Sequence, residues 1–344
     1  MRASPDPTRP VTVDVMLEVR QPTGETRLFP IVDGRIAQKA MEDRAADYVL
    51  AVDVLGGRPV GPEDWFACAG QTARICWTLT TGRDVHEILS NMFLLETWEY
   101  ESGTVSLSGH GVTAKVWTHE SAKPSQWRAA LARDVLASIL ATDGVPVRVD
   151  SSLGKDELPA RWVQGTDRWE SVLNLLQAVS GLLREDPFGA VLKAQHGPIR
   201  QPVLTLTDGD GGTVVHVPSG FDRRDRINHV VVRGTDFVSG KDFAVEAVER
   251  EGPYRPALYG WVTEVVDGDE ISRLAQGQLV ATNTLALARQ YREVVSVETV
   301  TDWRVELDDP VEIQADGLTM WGRVVGIEMD LSGMGTMMIE VGVE

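Results

Sequence analysis

Val11-Thr12-Val13-Asp14-Val15-Met16-Leu17-Glu18-Val19 is the stretch that decides the fold class. Apolar residues at the odd positions alternate with Thr12, Asp14, Met16 and Glu18, and a period of two marks a strand with one buried face. Pro22-Thr23-Gly24 turns the chain, Thr26–Val32 returns as a partner strand, and Asp33-Gly34 closes it. Further out, Ala40–Val54 suits a helix by composition, but Tyr48–Val54 fits a strand better, ended by Gly56-Gly57-Arg58-Pro59. Arg74–Thr80 is a β-branched and aromatic run. Phe93–Tyr100 and Thr104–Ser108 form a hairpin at Glu101-Ser102-Gly103, and Lys115–His119 continues the strands. Residues 11–120 therefore read as a β-barrel or sandwich.

The pattern then changes. A helix is predicted from Pro124-Ser125, with Ser125 as N-cap, to Thr142, because Trp127, Leu131, Val135 and Ile139 recur at i+4. A second runs from Arg168 to Leu183, opened by Asp167 and Glu170 in capping-box spacing and stopped by Asp186-Pro187-Phe188-Gly189. Ala190–Gln195 and Val203–Leu206 follow as a strand pair. Ile227–Arg233 and Phe243–Glu249 read as another. A third helix spans about Asp269–Tyr291, with a small-residue stripe of Ala275, Ala281, Ala286 and Ala288 beside Ile271, Leu274 and Leu285. The end is β again: Val294–Val300, Val311–Ala315, Gly322–Leu331 and Thr336–Val343, separated by Asp308-Asp309-Pro310, Asp316-Gly317 and Ser332-Gly333. The expected class is β-rich α+β, divided at 1–120, 121–225 and 226–344. No short repeat is visible, and the two β-rich ends are compatible with related barrels without the sequence proving it.

With 344 residues, 43% of them apolar, the chain can bury real cores. Its net charge is −18, from 51 acidic and 33 basic residues, which argues against gripping nucleic acid through clustered cations. The one basic grouping, Asp222-Arg223-Arg224-Asp225-Arg226, is broken by its own acids. The N-terminal arm has no apolar leader, and no apolar run is long enough to span a membrane. Two cysteines, Cys68 and Cys76, fit a reduced history better than a disulfide.

Signatures of chemistry are missing. His86, His110, His119, His196, His216 and His229 stand at no metal-ligand spacing. His86-Glu87 and His119-Glu120 are neighbours that a strand would point to opposite faces. There is no GxSxG and no GxxxxGK[ST]. Asp208 and Asp210 are spaced as in a calcium loop, but Gly212 and Ser219 stand where that loop needs ligands. Glu63-Asp64 and Asp308-Asp309 read as turn residues rather than paired glycosidase acids. The ten tryptophans suit core and interface anchoring better than a sugar platform. No catalytic, cofactor-binding or metal residue is nominated.

The order of four features is similar to the tail-hub (baseplate hub) proteins of long-tailed bacteriophages. They are the Trp169 helix ending in Asp186-Pro187-Phe188-Gly189; the Asn-led strand Arg226-Ile227-Asn228-His229-Val230-Val231-Val232-Arg233-Gly234; the Ala-rich helix Glu270–Gln290; and Asp309-Pro310-Val311-Glu312-Ile313 followed by Gly326-Ile327-Glu328-Met329-Asp330-Leu331. Residues 11–120 match more loosely. The resemblance implies two β-barrel tube domains with an α/β module between them. It also implies a homotrimer forming a pseudo-sixfold ring at the virion tail tip, whose partners are a distal tail protein, a tape-measure protein and tip or fibre proteins. DNA would pass through the ring without specific binding, and no enzyme activity is expected. The rival readings are a receptor- or carbohydrate-binding tail-tip module and a peptidoglycan hydrolase.

Overall fold

The computed structural model describes residues 11–39, 46–53, 61, 63–123, 125–128, 130–155, 157–158, 162–179, 181–194, 201–217, 226–236, 238–268, 271–290, 293–303, 305–331 and 335–343. The arm 1–10, His196, residues 222–225 of the basic grouping, Ser219 and the turns at 56–59 and 332–333 lie outside them.

Alternation builds the first strands as expected. In β1 (Thr12–Arg20), Leu17 and Val19 are fully buried while Thr12, Asp14 and Arg20 face out. β2 (Thr26–Lys39) pairs with it antiparallel, Leu17 opposite Phe29. Asp33-Gly34 does not close this strand: a bulge between Ile31 and Asp33 re-aims it, and it runs on to Lys39. β3 (Ala46–Asp53), β4 (Thr72–Thr81), β5 (Asp84–Leu89), β6 (Phe93–Glu101) and β7 (Thr104–Gly111) follow. β6 and β7 form the expected hairpin, and Ser102 and Gly103 both take positive φ, as a two-residue primed turn requires. Hydrogen-bonded neighbours run β1-β4-β6-β7-β3-β2 and return to β1.

An α/β module interrupts the strands. Its elements are α1 (Ala114–Trp117), β8 (Ser125–Trp127), α2 (Ala132–Thr142), β9 (Val147–Val149), β10 (Trp162–Gln164), α3 (Arg168–Ala178), β11 (Gly181–Asp186) and β12 (Gly189–Ala194). Four expectations fail here. Lys115–His119 is not a strand; its apolar residues belong to α1. Ser125 caps nothing, since Trp127 pairs across to Trp162 and the helix starts at Ala132. The second helix stops at Ala178, and Leu183 belongs to a hairpin in which Asp186-Pro187-Phe188-Gly189 is the turn. Gly181 marks the change: a Cβ there would press on Leu153, Leu176 and Val179, each at 3.2 Å. Ala190–Gln195 and Val203–Leu206 do not pair with each other. The Asp167 cap holds, its carboxylate accepting from the Glu170 amide at 2.8 Å. Leu136, Ile139, Leu140, Val172 and Leu175 form the module's own core.

The rest comprises β13 (Leu204–Thr207), β14 (Val214–His216), β15 (His229–Thr235), β16 (Asp242–Val248), α4 (Pro256–Tyr259), β17 (Thr263–Asp267), α5 (Leu274–Gln290), β18 (Glu293–Val300), β19 (Pro310–Ala315), β20 (Leu318–Asp330) and β21 (Thr336–Val343). β15, β16 and β17 make a small sheet covered by α5. The buried face of α5 is Val280, Ala281 and Leu285, so Ala281 and Leu285 of the predicted stripe are buried, with Ile271 just before the helix, whereas Leu274, Ala275 and Ala286 are exposed. Gly277 lets the helix close on Phe243, where a Cβ would come within 2.7 Å of the ring.

The remaining strands pair in the order β13-β19-β20-β21-β18-β14. Numbered along the chain within each set and leaving β5 aside, this is first, fourth, fifth, sixth, third, second, and β1-β4-β6-β7-β3-β2 has the same order. The chain thus holds two copies of one strand arrangement. They differ at one end, where β13 joins β19 in parallel while β1 joins β4 antiparallel. Asp208–Gly212 is consequently not a hairpin turn, because β13 and β14 go to different partners. The two sets meet where Arg35–Lys39 of β2 pair with Gly326–Asp330 of β20. One hydrophobic core, with Leu17, Ile36, Leu50, Ile75, Val324 and Ile339 among its members, runs through both. The protein is a β-rich α+β fold around a 13-stranded, mainly antiparallel sheet. No helix among the described residues is long and apolar enough to cross a membrane.

Candidate functional site

Pairing register places every second residue of the main sheet on one face, opposite the core. Asp33, Arg35, Ala37 and Lys39 of β2 lie beside Asp47, Val49, Ala51 and Asp53 of β3. β7 continues the face with Ser106, Ser108 and His110, and β6 with Thr97, Glu99 and Glu101. On the other side of β2 come Glu328 and Asp330 of β20, then Glu340 of β21, Glu298 of β18 and His216 of β14. Besides Arg35, Lys39, Val49, His110, His216 and Met338, the side chains on this face are small or acidic. Five carboxylates from the first strand set and four from the second face outward, against the two cations Arg35 and Lys39. Arg35 is neutralised by Glu328 at 2.6 Å. The chain as a whole has 51 acids to 33 bases, so this face is far more acidic than its share. Like charges spread over a broad surface set up a repulsive potential for polyanions.

Histidines and acids converge at three places, one of them, His110 with Asp47, on this face, which the sequence did not reveal. His119 Nδ1 lies 2.5 Å from Asp143, whose second oxygen takes the Arg168 Nε–H at 2.9 Å. His110 sits between Asp47 at 2.5 Å and Glu96 at 3.1 Å, with its ring against Trp117, and Trp117 against Trp169. His229 lies between Thr263 at 2.9 Å and Glu246 at 3.3 Å, under an exposed Trp261. A cavity of about 60 Å³ lies between Trp77, Glu185, Trp303 and Met337, and a groove of about 560 Å³ beside Arg148, Phe188 and Lys193. A smaller hollow of about 270 Å³ is bounded by Arg20, Arg74 and Phe188. No histidine borders any of the three.

The other candidates have local roles. Asp208 accepts from the Asp316 amide at 2.7 Å, so one of the two calcium-loop acids braces the β19–β20 turn. Among the described residues no three His, Cys, Asp or Glu are grouped to hold a metal. Cys68 and Cys76 are free and half-buried. Burial, with the charge of Glu18 second, pushes the Cys76 thiol up to about 11, and burial with Glu96 raises Cys68. Such thiols are protonated at neutral pH and are weak nucleophiles. Of the ten tryptophans only Trp261 and Trp321 are exposed, Trp261 in the loop before β17 and Trp321 in β20 of the main sheet.

The α/β module is fastened to the strands by charged and polar contacts from one hairpin. Arg184 pairs with Glu306, and Lys193 reaches Asp308 at 2.7 Å. Glu185 is inserted at the end of β7. Its Oε1 accepts from the Thr113 amide at 2.9 Å and hydroxyl at 2.7 Å, while Oε2 is buried against Gly111 without a hydrogen bond. Burial holds this carboxyl well above the usual range, and the Thr113 bonds only partly oppose that.

No protein-family model and no curated protein matches the chain. Solved structures do. The tail protein from Neisseria meningitidis MC58 superposes with a TM-score of 0.68 at 13% identity, covering 96% of this chain and 97% of its own. The 43 kDa tail protein of prophage MuSo2 from Shewanella oneidensis gives 0.64 at 17% identity, covering 96% of each chain. The prophage tail protein gp18 from Listeria monocytogenes EGD-e gives 0.59 at 11% identity, covering 95% and 94%. Across nearly its whole length, this chain has the fold of phage tail proteins.

Proposed function

We propose that the chain is a structural hub subunit of a phage-type tail tip, three copies of which form a ring with the acidic sheet face turned inward as the wall of a DNA channel. The observation that carries this reading is that face: eight strands wide, shared by both strand sets, with nine carboxylates against the two cations Arg35 and Lys39. A channel for a polyanion benefits from a wall whose carboxylates outnumber its cations and so repel it. The tail-protein fold agrees with this role. In this reading the first strand set, which closes through β1 and β2, forms one tube domain, and the C-terminal strands with β13 and β14 form a second. The α/β module stands between them on the outside. The neighbours would be a distal tail protein above, tip or fibre proteins below and the tape-measure protein within. The role is structural, without catalysis, and its place is the virion tail.

Light scattering on the purified chain tests the proposal, at two protein concentrations and two salt levels. A mass of three times 37.7 kDa is expected. A monomer under all four conditions would contradict the ring.

A further inference from the structure

The small sheet β16-β15-β17 has two faces, and α5 covers one of them. Val230, Val232, Val245 and Val266 pack on that side. Alternation sends the residues between them to the other side. There register sets Val231 between Glu246 and Val265, and Arg233 between Ala244 and Asp267. This second face is open: Val265 is 46% exposed, and Ala244, Glu246 and Arg233 are exposed beside it. Its charged groups find counter-groups within the sheet. Arg233 lies 3.8 Å from Asp267, His229 lies 3.3 Å from Glu246, and Asp242 accepts from the Thr235 hydroxyl at 2.8 Å. A face whose charges are matched internally does not call for an ionic partner, although the chain as a whole carries −18.

One end of this face carries Trp261, and the loop that presents it is fixed from beneath. Asn228 is fully buried. Its side-chain nitrogen donates to the carbonyls of Tyr254 at 2.8 Å and Gly260 at 2.7 Å, and its side-chain oxygen accepts from the Val262 amide at 2.9 Å. The Tyr254 and Tyr259 rings brace the same loop, 5.4 Å apart, and Gly260 turns it at a φ of 92°. One buried side chain thus sets the loop's shape before any ligand arrives, and binding does not have to offset the cost of ordering it. Trp261 is 63% exposed, and its ring meets the His229 imidazole at 4.9 Å and 73°, a T-shaped contact that leaves an indole face free. Beside it stand the Thr263 hydroxyl, 2.9 Å from His229 Nδ1, and the Glu246 carboxylate, 66% exposed.

We infer that this face binds a neutral, β-linked, gluco-configured saccharide, with Trp261 stacked on one pyranose and Thr263 and Glu246 bonded to its hydroxyls. Such a sugar carries C–H groups on its ring faces and hydroxyls around its rim. An exposed indole flanked by a hydroxyl and a carboxylate complements both. The strip from Thr263 to Asp267 is roughly 13 Å long at about 3.3 Å per residue, room for a short run of sugars over Val231 and Val265. The site lies on a different sheet from the acidic face, and it does not depend on the ring.

Saturation-transfer NMR on the full chain tests the assignment, with cellotetraose and chitotetraose as neutral probes and dextran sulfate as the charged control. The wild type should transfer saturation to the pyranose ring protons of at least one neutral probe. Trp261→Ala removes an exposed side chain, so it should keep the native circular dichroism while affinity falls about tenfold. Thr263→Val should weaken binding about threefold. Binding of neither neutral probe, binding undiminished in Trp261→Ala, or equal binding of dextran sulfate would overturn the assignment. If the wild type binds no sugar and Trp261→Ala lowers the oligomer mass in light scattering, the face is a contact between chains and the saccharide site is refuted.

Discussion

Glu185→Gln isolates the buried carboxyl that joins the α/β module to the strands. In the folded chain its pKa lies above the ordinary glutamate value of 4.5, because burial penalises the charged form. A raised folded pKa means that the native state binds the proton more tightly than the unfolded chain does. The associated stability is fully present below about pH 4.5 and is lost as pH rises towards the folded pKa. One proton sets the slope at about 1.4 kcal/mol per pH unit through that window. Glutamine retains an oxygen for both Thr113 bonds and never ionises. Variant and wild type should therefore be equal in stability to within about 0.5 kcal/mol at pH 4, one neutral hydrogen-bond pattern replacing another. They should then diverge with rising pH, the variant becoming the more stable. Urea denaturation from pH 4 to 8 measures both curves, and their difference cancels every other titrating group. Parallel curves would refute the assignment of a neutral Glu185.

Three more outcomes follow from the same geometry. Gly111→Ala should destabilise by about 1–3 kcal/mol in thermal or urea unfolding, because a methyl group there collides with the Glu185 carboxylate. Asp143→Ala should be more damaging, about 3–5 kcal/mol by the same measurement, since Arg168 is only 8% exposed and would be left as a buried charge without its carboxylate. Alkylation of Cys76, followed by mass spectrometry, should be slow at neutral pH and accelerate towards pH 11, following a thiol raised by burial.

Much of the fold was legible where one face of a strand is buried and the other is wet. β1, the β6–β7 hairpin and β18 to β21 show period two plainly, and the Asp167 cap announced α3. Periodicity misled where a stripe ran across a break. Trp127 shares i+4 spacing with Leu131 and Val135, yet its indole belongs to a strand pair with Trp162. Leu183 continues the α3 stripe, but Gly181 lets the chain pack too closely for the helix to go on. In α5, composition suggested an alanine face, and the packing of the helix on β16 buries its Ala281 with Leu285 and Val280 but leaves Ala275 and Ala286 exposed. The repeated strand order was invisible because it resides in long-range pairing rather than in residue identity. The candidate face was hidden for the same reason. Asp33, Asp47, Glu99 and Glu328 are ordinary exposed acids in sequence, and only register shows that they share one surface. His119, Asp143 and Arg168 likewise meet across turns that no local motif records.

An electron cryo-microscopy map of the assembled oligomer tests the central claim most directly. The account predicts a three-chain ring whose bore is walled by the face carrying Asp47, Asp53, Glu99, Glu328 and Glu340. A ring with that face on its outer surface, or buried in contacts between chains, would contradict it.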